Sequence, residues 1–414
     1  MTQSMNEPQL QQHLEHTRSA VERLDSVGWA IAALPGALFK ASREKATIRA
    51  YSFLACITLL PMLSRADPAY FRIGDDSGSS IVVRVDQADA IARAREALAG
   101  RSGPVIMTGK IVPVPAFDNP GWRFHVDPIT VEFVDLAAEV CDSSIAGVER
   151  ALNEVGGSVL PDFRWCLWST KVLAELPIPD GAAQHARHAS AADHTELALA
   201  PGSLAVAFAP GLLSKTSVVS VSLKDSAGGQ WIAAPLFVSP GSVTYQMPSG
   251  LVPGPVTAVI ATSEGSEYVD SLYVLVFAPS LFSVMPPGIA AAWVTRFKAD
   301  GSISVEPVFR FDSGTQTVVA APIDLGPTTD EVYLSLLGTG IRNRPDLGSI
   351  QIFLGRQSPL ALYAGPQSAY TGVDQINLVL PRALAGSGMT AILISSTLPD
   401  RRTLKSEAVQ LVFQ

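Results

Sequence analysis

The chain has 414 residues, enough for two or three domains with sizeable cores. Charged residues make up only 16% and apolar residues 47%, which excludes the polar, highly charged composition of a disordered chain. The formal net charge is −8 with no dense Lys/Arg cluster, so no nucleic-acid partner is expected.

In chain order, residues 8–34 carry a loose helical pattern, with Val21, Leu24, Val27 and Ile31 at spacings of three and four. A basic stretch (Lys40, Arg43, Lys45, Arg49) leads into the apolar run Tyr51–Leu63, which is too short to span a bilayer. Ser64, Arg65 and Ala66 follow, just before Asp67. Basic region, apolar region and small-residue site are the parts of a secretory signal, so residues 1–66 read as leader and signal peptide, cleaved between Ala66 and Asp67. Membrane contact is then limited to the signal during export. The plainer alternative is a buried core helix in a cytoplasmic protein. Export removes Cys56 and leaves Cys141 and Cys166, an even pair that favours a disulfide closing a loop of about 25 residues, worth about 3 kcal/mol. In the cytoplasm the same pair would be two reduced thiols.

Residues 67–176 read as an α+β domain. Tyr70–Ile73 and Ser80–Val85 are strand-like, and Asp86 is placed to cap a helix that runs to Ala99 and stops at Gly100. Its expected inner face is Ala88, Ile91, Ala92, Arg95 and Leu98. Val105–Val112 returns as a strand, and Trp122–Asp127 and Thr130–Val134 form a pair broken by Pro128. A second helix begins near Ser143 or Ser144 and stops at Gly156 and Gly157. Residues 177–200, with Pro179, Gly181, several alanines and His185, His188 and His194, read as a linker with solvated histidines.

From Pro201 onward short apolar runs alternate with Gly/Pro/Ser clusters, the cadence of β-sandwiches. One strand–turn–strand pattern occurs twice, as Ser242–Ala261 and Asp374–Leu393. Pro248 falls on Pro381, Leu251 on Leu384, and Thr257 and Ala258 on Thr390 and Ala391. Such self-similarity predicts two related all-β modules, at 201–278 and 279–414. Glu331–Leu337 and Ser349–Leu354 match the early strands, and Ala408–Phe413 is the expected closing strand.

The second half of the chain resembles the Solibacter-type C-terminal domain family of secreted acidobacterial proteins. The resemblance lies in Ala200–Ser203, Ala234–Gly241, Val243–Leu251, Ala278–Phe282, Leu362–Pro366 and Gly372–Asn377, and departs most at 294–330. It implies immunoglobulin-like sandwiches on an exported protein and brings no catalytic residues. The N-terminal domain resembles the N-terminal domain of an amoebal calmodulin-binding protein family. That resemblance lies in Trp122–Pro128, Glu139–Asp142, Val155–Gly157, Leu160, Pro161 and Arg164–Trp168, with Leu167 where the family commonly has proline. Calmodulin binding itself is not carried over, because calmodulin targets are basic amphipathic helices and residues 86–99 set Arg93 and Arg95 against Asp89 and Glu96.

Candidate chemistry is confined to the N-terminal domain. His125 and Asp127 lie two apart on one strand and so share a face, with Glu132, Glu139 and Asp142 following. Such a cluster can bind a cation or move protons. The structural alternative, which is favoured, has His125 hydrogen-bonded within the sheet and Asp127 capping the turn at Pro128. Trp122, Trp165 and Trp168 offer aromatic faces to a sugar or a cation, or else pack around a Cys141–Cys166 bridge. No hydrolase elbow, zinc-protease or phosphate-loop motif is present. The expected protein is multidomain: an N-terminal α+β domain followed by two immunoglobulin-like sandwich modules. It is secreted, periplasmic or at the cell surface, and non-enzymatic, with no cofactor or metal. Trp122, His125, Asp127, Glu139, Asp142, Trp165 and Trp168 are the candidates to bind an extracytoplasmic carbohydrate or protein. The alternatives are a secreted enzyme or metal-binding protein built on His125, and a purely structural envelope component.

Overall fold

The computed structural model describes residues 67–414, apart from 138, 198, 210–211, 213–217, 285–287, 313, 316, 399 and 401. The leader, signal and cleavage residue Ala66 therefore lie outside the described residues. Strands outweigh helices by 47% to 9%, and they form many separate sheets, as sandwich modules require. Among the described residues no helix is long and apolar enough to cross a membrane.

The N-terminal part begins with a hairpin, β1 (Ala69–Gly74) and β2 (Ser80–Val85), in which Ile81, Val83 and Val85 alternate inward. Helix α1 (Ala88–Leu98) follows, then β3 (Ile106–Val112), β4 (His125–Val126) and β5 (Glu132–Val134). After α2 (Ile145–Arg150) come the short pair β6 (Val155–Gly156) and β7 (Val159–Pro161), then β8 (Arg164–Leu167) and β9 (Lys171–Leu176). One sheet runs β2-β1-β9; in the other β3 pairs with β4, β5 and β8.

Ser144 caps α2 by accepting from the Gly147 N–H at 3.1 Å, as its position predicts. Asp86 does not cap α1: the residue at that position is Gln87, and the Asp86 carboxylate takes the Arg84 guanidinium instead, 2.7 Å away. A buried charge partner outcompetes backbone amides that water can reach. The helix also buries Ala90, Ile91 and Ala94, a stripe rotated from the expected one.

The first sandwich pairs two four-stranded sheets. One has the order β10 (Arg187–Ser190), β11 (Leu204–Phe208), β15 (Ser242–Gln246), β14 (Pro235–Ser239). The other runs β13 (Gln230–Ala233), β12 (Val218–Lys224), β16 (Gly254–Thr262), β17 (Glu267–Val274). Ala205, Ala207, Val243 and Tyr245 of the first sheet meet Val221, Leu223, Ala258 and Ile260 of the second in one core.

The last part adds β18 (Ser280–Leu281), β19 (Ser283–Val284), β20 (Ile289–Ala290), β21 (Ala292–Phe297), β22 (Ile303–Pro307) and the ribbon β23 (Phe309–Asp312) and β24 (Thr317–Ala320). Strands β25 (Glu331–Thr339), β26 (Ile350–Leu354), β27 (Ala361–Pro366), β28 (Asp374–Val379), β29 (Gly388–Thr397), β30 (Thr403–Lys405) and β31 (Val409–Phe413) complete it. The order β25-β28-β27 repeats β11-β15-β14, and β26-β29-β31 repeats β12-β16-β17. The duplicated sequence segments are thus β15 to β16 and β28 to β29. In each, the second strand returns in the opposite sheet, so the repeat encodes a crossing of the core.

Residues 177–200, read as a linker, contain the buried strand β10, and Ala189, Ala191, Ala192, Leu197 and Ala200 lie in the core shared with the N-terminal and last parts. His188 and His194 are buried rather than solvated. Small alanines let this segment thread between modules at close range. The two sandwiches meet just as tightly. Gly340 has φ +74°, and a Cβ there would lie 2.0 Å from the Ala278 carbonyl oxygen, so only glycine fits.

Candidate functional site

Strand β4 is short because Pro128 ends it. His125 on this strand and Asp127 just past its end converge on one residue of the supposed linker, Glu196. The His125 Nε2–H donates to Glu196 Oε2 at 2.7 Å, and its Nδ1–H donates to the Val114 carbonyl at 2.8 Å. Asp127, fully buried, accepts the Glu196 N–H at 2.7 Å and, through its other oxygen, the Ile129 N–H at 3.4 Å. The expected turn cap at Pro128 is therefore present, joined to a long-range contact that sequence spacing could not reveal.

Arg187 completes the seam. It donates to Glu196 Oε1 at 3.3 Å and to the His194 carbonyl at 3.2 Å, lies 3.9 Å from Asp86, and stacks over Phe208 at 4.7 Å. His194 adopts a left-handed backbone, φ +65°, which points its carbonyl at Arg187. Next to it, Phe117 stacks on His185 with centroids 4.2 Å apart, and the His185 ring donates to the Val269 carbonyl at 2.9 Å.

The electrostatics follow from burial and pairing. Burial works against a charged His125, but the hydrogen bond and charge of Glu196 outweigh it and push its pKa up to about 9. The imidazole is thus protonated at neutral pH, with both ring nitrogens donating. Glu196 itself is held below the usual carboxylate range, because His125 and Arg187 overcome the burial that would raise it. Burial, then the Glu196 charge, push Asp127 up to about 7. His188 has its pKa lowered to about 4 by burial and stays neutral, with Nδ1 2.8 Å from the Tyr245 hydroxyl. A histidine whose two nitrogens are both occupied as donors cannot accept a proton from a substrate.

A second junction joins the N-terminal part to the last module. Lys110 on β3 lies 3.1 Å from Glu407 and 3.7 Å from Asp162, and Asp162 accepts the Lys405 N–H at 2.9 Å. Burial opposes the Lys110 charge, yet Asp162 and Glu407 keep its pKa raised. Leu160, Asp162 and Phe163 all have positive φ (48°, 58° and 59°), a strained turn that aims Asp162 across the junction. Lys110, Asp162, Asp193, Lys405 and Glu407 line a small cleft of about 20 Å³, room for roughly one water.

The other candidates fall elsewhere. Trp165 is fully buried, donates to the Ser143 carbonyl at 2.8 Å and packs edge-on against Phe124, so it is a core residue that no ligand reaches. Trp122 is partly buried and donates to the Ser80 carbonyl at 2.9 Å. Cys141 and Cys166 form the expected disulfide, with Cα atoms 5.0 Å apart, packed with Ile106, Val134 and Ala137. On this side Asp142 is exposed and bridges Cys166, and Trp168 stands two residues beyond Cys166 with 39% of its surface exposed. Glu139 begins the single turn Glu139–Cys141; its side chain lies outside the described residues. Among the described residues no group of three or more His, Cys, Asp or Glu is arranged to hold a metal ion. Six of the seven candidates thus divide between a buried seam (His125, Asp127), a core (Trp165, with Trp122 at its edge) and exposed positions close to the disulfide cysteines in the chain (Asp142, Trp168).

Sequence reasoning missed Glu196 and Arg187. The available signal was a handful of charges set among alanines and leucines at 186–200, a composition too apolar for a solvated linker.

Residues 67–179 match the BP-74 N-terminal domain family, which supports the N-terminal resemblance read from the sequence. No curated protein matches the chain. Among solved structures, the chain is similar to the Bacteroides ovatus mixed-linkage glucan utilization locus (MLGUL) SGBP-B in complex with mixed-linkage heptasaccharide. The identity is 14% and the TM-score 0.25, covering 53% of this chain and 44% of that one. The chain therefore spans less than half the length of that protein.

Proposed function

We propose that this is an exported, non-enzymatic binding protein. Its N-terminal α+β domain (67–176) presents a ligand face, and two immunoglobulin-like sandwiches of the Solibacter type (201–278 and 279–414) display it. The observation that carries this reading is the full engagement of His125. The one imidazole flanked by carboxylates in the N-terminal domain spends both nitrogens on Val114 and Glu196, holding modules together rather than facing a substrate. The Cys141–Cys166 disulfide supports export, because such bonds persist in oxidising compartments. Protein recovered from its host is expected to begin at Asp67 and to show no free thiol before reduction. A free thiol pair, or an intact residue 1, refutes the export reading.

We assign the ligand face to exposed residues close to the disulfide cysteines in the chain, Trp168 and Asp142, together with the exposed apolar side chains of Leu136 and Val140. A half-exposed indole and an exposed carboxylate suit a carbohydrate or a protein surface that offers an apolar face and a hydroxyl or cation. On a glycan array and against host-surface protein, Trp168→Ala is expected to weaken retention about tenfold, the equivalent of about 1.4 kcal/mol. Retention unchanged by the substitution moves the ligand to another surface. No retention at all by the native protein favours a purely structural component.

A further inference from the structure

The seam around Glu196 holds more ionisable groups than a static clamp requires. We propose that it is a proton-operated latch: docking of the N-terminal module onto the first sandwich takes up protons, and the junction loosens as its surroundings become alkaline. It rests on the packing and charge pairing of the seam and stands or falls apart from the export and ligand readings.

Charged and titratable groups reach the seam from several elements. Strands β1 and β2 bring Tyr70 and the Arg84–Asp86 pair. Strand β4 and its exit bring His125 and Asp127, and the threaded segment brings Arg187, neutral His188 and Glu196. Two further carboxylates flank them. Asp118 belongs to the loop before β4, and Asp270 to β17 of the first sandwich. Their chain neighbours Phe117 and Val269 are tied together through His185, by the ring stack on one side and the hydrogen bond on the other. That tie sets Asp118 and Asp270 at one half-buried boundary, and neither has a salt-bridge partner within 4 Å among the described residues. Fully ionised, the pairs and flanking groups set five carboxylates (Asp86, Asp118, Asp127, Glu196, Asp270) against three cations (Arg84, Arg187, His125).

The proton count follows. Asp270 is pushed up to about 7 by burial and by the Glu196 charge, as Asp127 is by burial and the same neighbour; Asp118 is also raised, chiefly by burial. Undocked and solvated, these carboxylates return toward their ordinary value near 4. The docked seam therefore holds extra protons from about pH 4 to 7 and gives them up as pH rises through that range. His125, raised to about 9 when docked and near 6.5 when free, adds one more proton between those values. Glu196 is lowered and acts in the opposite sense only in more acidic solution, below its ordinary pKa. Asp118, Asp127, Asp270 and His125 thus point the same way, while His188, lowered to about 4 by burial, opposes them below its ordinary value near 6.5. Each of the former lowers the docking constant by up to about tenfold per pH unit across its own window.

The test is hydrogen–deuterium exchange on the full chain from pH 5 to 9, corrected for the intrinsic rate and referenced to β25 (Glu331–Thr339). Residues 112–127 and 187–197 are expected to lose protection by about a hundredfold or more, while β25 holds. His125→Gln keeps a hydrogen-bonding side chain and removes the part of the change above pH 7. Asp270→Asn, at a half-buried position, removes the Asp270 share of the part from pH 5 to 7 and so makes it shallower. Seam protection that is constant or rises with pH overturns the latch. So does an Asp270→Asn protein whose pH dependence matches the native one.

Discussion

Glu196→Ala is expected to destabilise the protein by about 3–5 kcal/mol in urea unfolding at pH 6, because it strands two buried cations. His125 loses the acceptor at 2.7 Å, and Arg187 loses its partner at 3.3 Å. Neither can recover its hydration without opening the junction, since the side chains of His125 and Arg187 are only 12% and 8% exposed. Glu196→Gln keeps a hydrogen-bonding group for His125 and gives up only the charge, so its loss is smaller. The pH window has a definite sign. A raised His125 contributes fully below about pH 6.5 and loses its contribution as pH rises through about 9. A lowered Glu196 contributes above its ordinary pKa near 4.5 and fades as pH falls below it. The difference between native and Glu196→Ala protein is thus largest at about pH 5 to 6.5 and shrinks toward pH 9. A loss under about 0.5 kcal/mol, the scale of an ordinary surface change, removes Glu196 from its place at the centre of the junction.

The second large effect belongs to the disulfide. The bond spans 25 residues and ties the turn before α2 to β8. On the chain-entropy account, a loop of that length contributes about 3 kcal/mol by restricting the unfolded chain. Cys141→Ser together with Cys166→Ser should lower the unfolding transition of the N-terminal module by that amount. Reductant should shift the native protein equally and leave the double variant unmoved. Native protein whose transition ignores reductant shows that the bond is absent or without consequence. Asp142 and Trp168 follow the two cysteines closely in the chain, so the proposed ligand face should also loosen in the double variant.

These two effects also separate what is legible in the residues from what is not. The cysteine pair is legible only on the expectation that the leader with Cys56 is removed, which leaves Cys141 and Cys166 as one possible pairing. The seam is not. His125 and Asp127 share a strand face, and they do face one residue, but that residue is 69 positions from Asp127. Spacing arguments work within an element, where the backbone period fixes neighbours, and fail between elements. Asp86 shows the same limit. Its position suits a helix cap, and only the packed arrangement reveals that Arg84 and Arg187 compete for it.

Patterning alone determined that the chain is mostly β beyond residue 200 and that one strand–turn–strand segment occurs twice, and it made a pairing of Cys141 with Cys166 an expectation. Each of these is written in local periodicity, turn residues or a small count. Only the tertiary structure decided that residues 187–200 form a buried strand and hub, that Trp165 is a core residue, and that the best catalytic candidate serves as a clamp. Those outcomes depend on which surfaces are brought together, and burial, desolvation and charge pairing have no values until that is settled.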